Sequence, residues 1–443
     1  MEALNYKRLL ADTSLDLEER NWGIYNTHDP SIFKDGDLYY VFSTDTVAGD
    51  MQGFTFRGGI QVRRSSDLIH WDWVGYAMDG VPADAKSWTG AVGMWAPEVC
   101  KIGDLYYLYY CASQFGKNQS FIGVAVSSSI EGPWTDLGEV VKTSPADAPN
   151  AIDPNLVDDR EGRLWLVYGS FFGGIYAAEL NRATGKLLLP GFGTLIARRD
   201  KTREGAVEGP YVIYHPEHDY YYLFVSYDSL FSNYNVRVGR SKQITGPYVD
   251  YNGHELTDID RLPPHEIGTK LMGGYRFRGE AGVLAPGHNS ILREGSRYYI
   301  VHHERSEQSP KHFAMQVREI HWTLEGWPVV SPERYSGVYR RSVRSSELPG
   351  AWEFLVHLRQ SDGLAASEMI RLLPGGSLAN GHGRYEWRDT ELTVRWNKVY
   401  ELSGEPIIVK GAVFRGYDWS QRCETLLFSG LDQRGTAVWG KRK

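Results

Sequence analysis

The sequence predicts an all-β chain: a five-bladed β-propeller over residues 1–337, then a small antiparallel β-barrel over residues 338–443. Three observations predict it. An aromatic-rich strand motif occurs five times. A second strand pair follows each copy in step. Both patterns stop after GWPVVSPERY (326–335), where Gly-rich turns and different strands take over.

The first motif reads GDLYYVFSTD (36–45), GDLYYLYYCAS (103–113), GRLWLVYGS (162–170), DYYYLFVSYD (219–228) and GSRYYIVHHER (295–305). A Gly or acidic turn opens each copy, and small or polar residues close it. Aligned on Tyr39, Tyr106, Leu164, Tyr221 and Tyr298, the steps are 67, 58, 57 and 77 residues, a spacing of repeat architectures. The second element reads IQVRRSSDLIHWDWVG (60–75), IGVAVSSSIEGPWTDLG (122–138), IYAAELNRATGKLL (175–188), VRVGRSKQITGPYVD (236–250) and MQVREIHWTLEGWPVV (315–330). Its apolar residues alternate with the period of a half-buried strand.

A unit of about 65 residues with about four short strands is a propeller blade. One blade cannot bury both of its faces, and stacking blades around an axis covers each face with the next. A β-sandwich or a string of small β domains is the competing architecture; two elements repeating in step favour the propeller. The tail has strand candidates at 351–358, 367–373, 385–397, 406–419 and 424–431, separated by turns such as PGGSLANGHG (374–383).

The net charge of -7 excludes a broadly basic nucleic-acid binder. Cys100, Cys111 and Cys423 allow at most one bridge, and no Cys/His spacing suggests zinc. No run of about 18 uncharged apolar residues is present, so no membrane span is expected. The first 20 residues carry acids throughout and lack an apolar leader core. As it stands the chain reads as cytoplasmic, or as secreted if a leader has been removed, and as a monomer.

In a propeller, the segments entering the innermost strands converge at the axis, the default ligand site. Three acids occupy such positions. Asp29 lies in THDPSIF (27–33), Asp153 in NAIDPNLV (150–157) and Glu208 in AVEGPYVIY (206–214). Each is followed by Pro or Gly-Pro and then an apolar strand. One such motif alone is explained as a turn former. Three in register with the repeat are not, because burying an unpaired acid is costly.

Taken together, HDPSI, GMWAPEV (93–99), AIDPN, YGSFFGGI (168–175), VEGPYV and APGHNS (285–290) resemble glycoside hydrolase family 43, and within it the endo-α-1,5-L-arabinanases. The ordered set spans about residues 20–330, and the tail resembles the C-terminal barrel of two-domain members. The resemblance implies hydrolysis of arabinan or arabino-oligosaccharides with inversion. Asp29 would be the general base, Glu208 the general acid, and Asp153 the third acid, which orients Glu208 and tunes its pKa. Inversion needs two carboxyls about 6.5–9.5 Å apart, leaving room for a water. The acid must keep its proton near neutral pH, and the base must stay ionised.

His28, Trp95, Asn150, Ser170 and Phe171 are the implied substrate-binding residues, with Phe172 beside them. His28 is equally readable as a packed histidine, and an isolated Trp95 as core. Glu98 stands at an equivalent blade entry, where hydrogen bonding at a strand start is the favoured role. His288 would hold a calcium ion whose shell is completed by water. From the residues alone, a histidine hydrogen-bonder is the simpler reading, since calcium prefers oxygen ligands. An exo-acting α-L-arabinofuranosidase or β-xylosidase on the same scaffold is the nearest alternative. A non-catalytic carbohydrate-binding propeller is the alternative from another class, and the presence of all three acids argues against it.

Overall fold

Each aromatic motif becomes the strand that pairs with the innermost strand of its blade, antiparallel to it. A computed structural model describes residues 12–55, 57–338, 341–388, 390–399 and 406–443. Most of the N-terminal stretch read above, residues 1–11, and Asp389 in a tail strand candidate lie outside the described residues.

Blade one is β1 (Ser31–Asp35), β2 (Leu38–Ser43), β3 (Gln61–Ser65) and β4 (Asp72–Tyr76). A short helix, α1 (Ala83–Thr89), leads to blade two: β5 (Trp95–Ile102), β6 (Leu105–Ala112), β7 (Ser120–Ser127) and β8 (Thr135–Thr143). Blade three holds β9 (Asn155–Asp158), β10 (Leu164–Tyr168) and β11 (Ile175–Asn181). Two short pieces, β12 (Lys186–Leu187) and β13 (Thr194–Ala197), both pair with β11. Blade four is β14 (Val207–His215), β15 (Tyr220–Tyr227), β16 (Asn235–Ser241) and β17 (Thr269–Met272). Blade five is β18 (Tyr275–Arg276), β19 (Val283–Glu294), β20 (Arg297–Ser306), β21 (Phe313–Trp322) and β22 (Pro328–Val330).

The aromatic repeat has a packing cause. Successive strand side chains point to opposite faces. On β2, Tyr40 and Phe42 enter a core shared with blade two, while Tyr39 and Val41 enter one shared with blade five. On β15, Tyr221, Leu223 and Val225 pack toward blade three, and Tyr222 and Phe224 toward blade five. A blade strand therefore carries large apolar residues on both faces, which gives a near-continuous aromatic run. Around the axis, β1 lies beside β5 and β19, β9 beside β5 and β14, and β14 beside β19.

Two expectations need correction. The fourth strand of blade four was expected in the TGPYVD segment, but Val249 makes only isolated bridges to Arg240 and Glu255. The Asp250 carboxylate accepts the N–H groups of Asn252, His254 and Gly268 and holds a turn there. The outer strand forms later, at β17. The tail also contains two strands that the sequence reading missed, at residues 365–366 and 437–442, and its single candidate at 385–397 is two paired strands.

The tail strands are β23 (Gly350–Val356), β24 (Ala365–Ala366), β25 (Glu368–Leu372), β26 (Gly383–Arg388), β27 (Glu391–Val399), β28 (Pro406–Asp418), β29 (Cys423–Asp432) and β30 (Ala437–Arg442). Seven form one curled antiparallel sheet, ordered β25-β23-β30-β29-β28-β27-β26, and the missed β30 lies between β23 and β29. The eighth, β24, pairs in parallel with β18 and so extends blade five. Lys441 is fully buried and joins Glu333 at 2.7 Å and Asp418 at 3.4 Å, with Glu280 also in contact. This ion cluster and β24 tie the tail to the propeller.

Candidate active site

The innermost strands bring the three acids to one place by a repeated backbone kink. Asp29 and Asp153, two residues ahead of β1 and β9, have φ of 53° and 59°. His288, inside β19, has φ of 45° at a point where the ladder slips register. Such left-handed conformations cost about 1–2 kcal/mol each for non-glycine residues. They recur here at the axis, where the kink turns side chains out of the ladder. Glu208 lies within β14 and is followed by Gly209 at φ 57°. A Cβ on Gly209 would fall 2.9 Å from Cγ of His288, so glycine lets the imidazole approach.

Asp29 is held by histidines on one oxygen and a hydroxyl on the other. Its Oδ1 lies 2.8 Å from His28 Nδ1, 3.0 Å from His288 Nδ1 and 3.6 Å from His303 Nδ1. Its Oδ2 accepts from Thr44 Oγ1 at 2.6 Å. The His28 and His303 rings stack at 3.6 Å. Burial pushes the Asp29 carboxyl up, but His28 and His288 outweigh it and hold the group well below the usual carboxylate range.

Asp153 and Glu208 are pushed the other way. Burial raises Asp153 to about 7; His288 counters, and the charges of Glu208 and Asp29 add to the rise. Burial also raises Glu208, against His288 and the Ser170 hydroxyl, which donates to Oε2 at 2.8 Å. Asp153 Oδ2 accepts the Gly209 N–H at 3.0 Å. Tyr234 lies close enough to Glu208 to favour its ionised form, although its hydroxyl makes no hydrogen bond of good geometry. His288 is raised to about 9: burial opposes this, and Asp29, Asp153 and Glu208 together overcome it.

The other predicted residues divide. His28 and Ser170 touch the acids directly. Trp95 is half-buried at the start of β5. Asn150 is buried, with Oδ1 unpartnered. Phe171 is half-buried and Phe172 is 48% exposed, both at positive φ. Glu98 is buried away from this cluster. It accepts from Ser31 Oγ at 2.6 Å and Asn155 Nδ2 at 3.1 Å, cross-linking blades one, two and three.

Several residues in contact with the acids or with His288 were not singled out: Thr44, Ser226, Tyr234 and His303. Ser226 Oγ accepts the His288 N–H at 2.8 Å. Thr44, Ser170, Ser226 and His303 all close copies of the aromatic motif. The polar ending of each copy was the available signal. Phe115 and Phe231, 73% and 55% exposed, follow β6 and β15 on the same face, with ring centroids 6.0 Å apart.

His28, Asp29 and His303 present ligand atoms within 4.8 Å of one another. His28 Nε2 and His303 Nε2 are buried without partners. This cluster offers calcium only one carboxylate, so a cation held there would draw most of its ligands from water.

Comparison with known proteins bears on the whole chain. Residues 24–328 match the model of glycosyl hydrolases family 43, and residues 332–440 match a C-terminal lipocalin-like domain. An extracellular endo-α-(1→5)-L-arabinanase of Thermotoga petrophila is 33% identical, covering 95% of this chain and 94% of that protein. Extracellular endo-α-(1→5)-L-arabinanase 2 of Bacillus subtilis is 30% identical, covering 94% and 93%. The crystal structure of the endo-1,5-α-L-arabinanase from Thermotoga petrophila superposes with a TM-score of 0.83 at 31% identity, covering 95% of this chain and 99% of that one. A Cellvibrio cellulosa α-L-arabinanase solved with arabinohexaose gives 0.60 at 31% identity, covering 69% and 96%.

Proposed function

Because the chain belongs to glycosyl hydrolases family 43, we propose that it cuts internal α-1,5-L-arabinofuranosidic bonds of arabinan and arabino-oligosaccharides, with inversion at the anomeric carbon. One observation carries the mechanism: in a single site the Asp29 carboxyl is held well below the usual range while those of Glu208 and Asp153 are pushed up. Carboxyls pushed apart in this way mark the base and the acid. Glu208 donates its proton to the leaving oxygen. Asp29 takes a proton from the attacking water. Asp153, bonded to the residue next to Glu208, fixes that segment and disfavours the ionised acid by its own charge. His28, Trp95, Asn150, Ser170 and Phe171 line the sugar subsites, and the faces of Phe115 and Phe231 are further apolar platforms for sugar rings.

A calcium ion with a largely aqueous shell would be held by His288 beside Asp29, and it would supply positive charge that keeps Asp29 ionised. Metal analysis with melting before and after chelation tests this: bound calcium and a lower Tm on its removal support it, and a metal-free protein with unchanged Tm refutes it. The functional division falls at 337/338, with residues 1–337 cutting and residues 338–443 supporting, in a monomer that acts outside the cell as the two named relatives do.

The deciding experiment is the product profile on linear α-1,5-arabinan beside a β-xylan control, with Glu208→Ala and Asp29→Ala as controls. Short oligomers appearing early establish the endo activity. Monomer alone assigns the exo alternative. Binding without any product assigns the non-catalytic one.

A further inference from the structure

The tail reaches back toward Glu208 through one short segment, residues 357–363. Lys270 on β17 donates to the carbonyls of Leu358 at 3.0 Å and Ser361 at 3.1 Å. Arg237 on β16 donates to the carbonyl of Arg359 at 2.9 Å. Asp362 accepts from Arg203 at 2.9 and 3.1 Å. Lys270, Arg237 and Arg359 are 5%, 1% and 5% exposed.

From Arg237 a line of polar contacts runs inward. Its Nε donates to Asn235 Oδ1 at 3.0 Å, and Asn235 Nδ2 donates to Asp228 Oδ2 at 2.9 Å. Asp228 Oδ1 pairs with Arg199 Nη1 at 2.7 Å. The same nitrogen donates to the Ala206 carbonyl at 3.3 Å, and the Asp228 N–H reaches that carbonyl at 3.2 Å. Ala206 is two residues before Glu208. Arg199 is buried, stands over the Tyr227 ring at 4.4 Å and leaves Nε and Nη2 unpartnered. Burying so many cations costs more than an apolar contact of the same size, so simple adhesion of the tail does not account for them. What the line does connect is the tail segment and the strand start that carries the acid.

We propose that segment 357–363 braces the start of the Glu208 strand through Arg237, Asn235, Asp228 and Arg199, with Arg199 a positioning residue for the general acid. This rests on reading Glu208 as that acid. A misplaced acid harms departure of a basic leaving group and spares one that leaves without a proton. A fold defect harms both.

The test compares arabino-oligosaccharide with a 2,4-dinitrophenyl arabino-oligoside for Arg199→Met, Arg199→Lys and Lys270→Met in the full chain. Both Met variants should lose about 10- to 100-fold in kcat on the oligosaccharide, keep KM within about 2-fold, and hold the dinitrophenyl rate within about 3-fold. Arg199→Lys should recover most of the loss. Equal losses on both substrates, or no loss, overturn the proposal. If the buried variants do not fold, the surface pair decides: Arg203→Asp and Asp362→Arg singly should lower the oligosaccharide rate, and together restore it. Failure of the double variant to restore it overturns the brace. Glu208→Ala, run alongside with the brace intact, should keep dinitrophenyl activity while losing the oligosaccharide. Equal loss in that variant sinks the general-acid reading itself.

Discussion

The backbone N–H of Gly209 donates to Asp153 Oδ2 at 3.0 Å, so the third acid is tied to the residue that follows Glu208. Asp153→Asn keeps an acceptor oxygen for this bond and removes the charge. A neighbouring negative charge raises a carboxyl pKa, so removing it lets Glu208 lose its proton at lower pH. The alkaline limb of kcat/KM against pH should move down by about one unit, with the fold intact. A limb that stays in place or moves up would show that Asp153 does not tune Glu208.

Ser170→Ala should act in the opposite direction. The Ser170 hydroxyl donates to Glu208 Oε2 at 2.8 Å and favours the ionised carboxylate. A hydrogen bond to a charged group is worth about 1.5–3 kcal/mol, or roughly one to two pH units. Without it Glu208 should hold its proton longer, and the alkaline limb should rise. Movement of both variants in the same direction would contradict the assignment of Glu208 as the titrating acid.

Thr44→Val tests the reading of Asp29 as the base. Thr44 Oγ1 donates to Asp29 Oδ2 at 2.6 Å and accepts the Ala96 N–H at 2.8 Å, joining blades one and two at Asp29. Valine has the same shape and can do neither. Asp29 then loses a bond to its ionised form, and its pKa rises. The acid limb of kcat/KM should shift to higher pH by about one unit, and stability should drop by about 1–3 kcal/mol for the orphaned N–H. An unchanged acid limb with the expected loss of stability would leave Asp29 without the role of base.

The propeller was legible because its cause is local. Tyr39, Tyr106 and their counterparts repeat since each second strand must fill two interblade cores. Asp29, Asp153 and Glu208 were legible for the same reason: blade symmetry turns distant positions into neighbours. Thr44, Ser226 and His303 were not, because a polar residue ending a strand looks the same whether it faces water or the axis. Only the register of β2, β15 and β20 distinguishes the two. β17 was misplaced because a side chain, the Asp250 carboxylate, holds a turn where β-propensity alone would continue the blade. β30 was missed because Gly440 and Lys441 interrupt its apolar run. Lys441 is buried there by pairing with Glu333 and Asp418, partners far away in the sequence.

Glu98 is a buried acid with partners of its own, Ser31 and Asn155. It is 4% exposed, and burial raises it to about 7, against the hydrogen bonds from Ser31 and Asn155. In the unfolded chain the same group ionises near 4.5. The folded state therefore binds an extra proton between those values, and its stability declines as pH rises through that window. Glu98→Gln cannot ionise. Its oxygen can still accept from Asn155, and its amide can donate to the Ser31 hydroxyl. The variant should gain stability relative to the parent on going from pH 4 to pH 8, by up to about 3 kcal/mol, read as the difference in denaturant midpoints. Its kcat should stay within a few-fold of the parent. A loss of the size expected for Glu208→Ala would place Glu98 among the reacting groups, and a pH-independent stability difference would mean that Glu98 is already ionised in the fold.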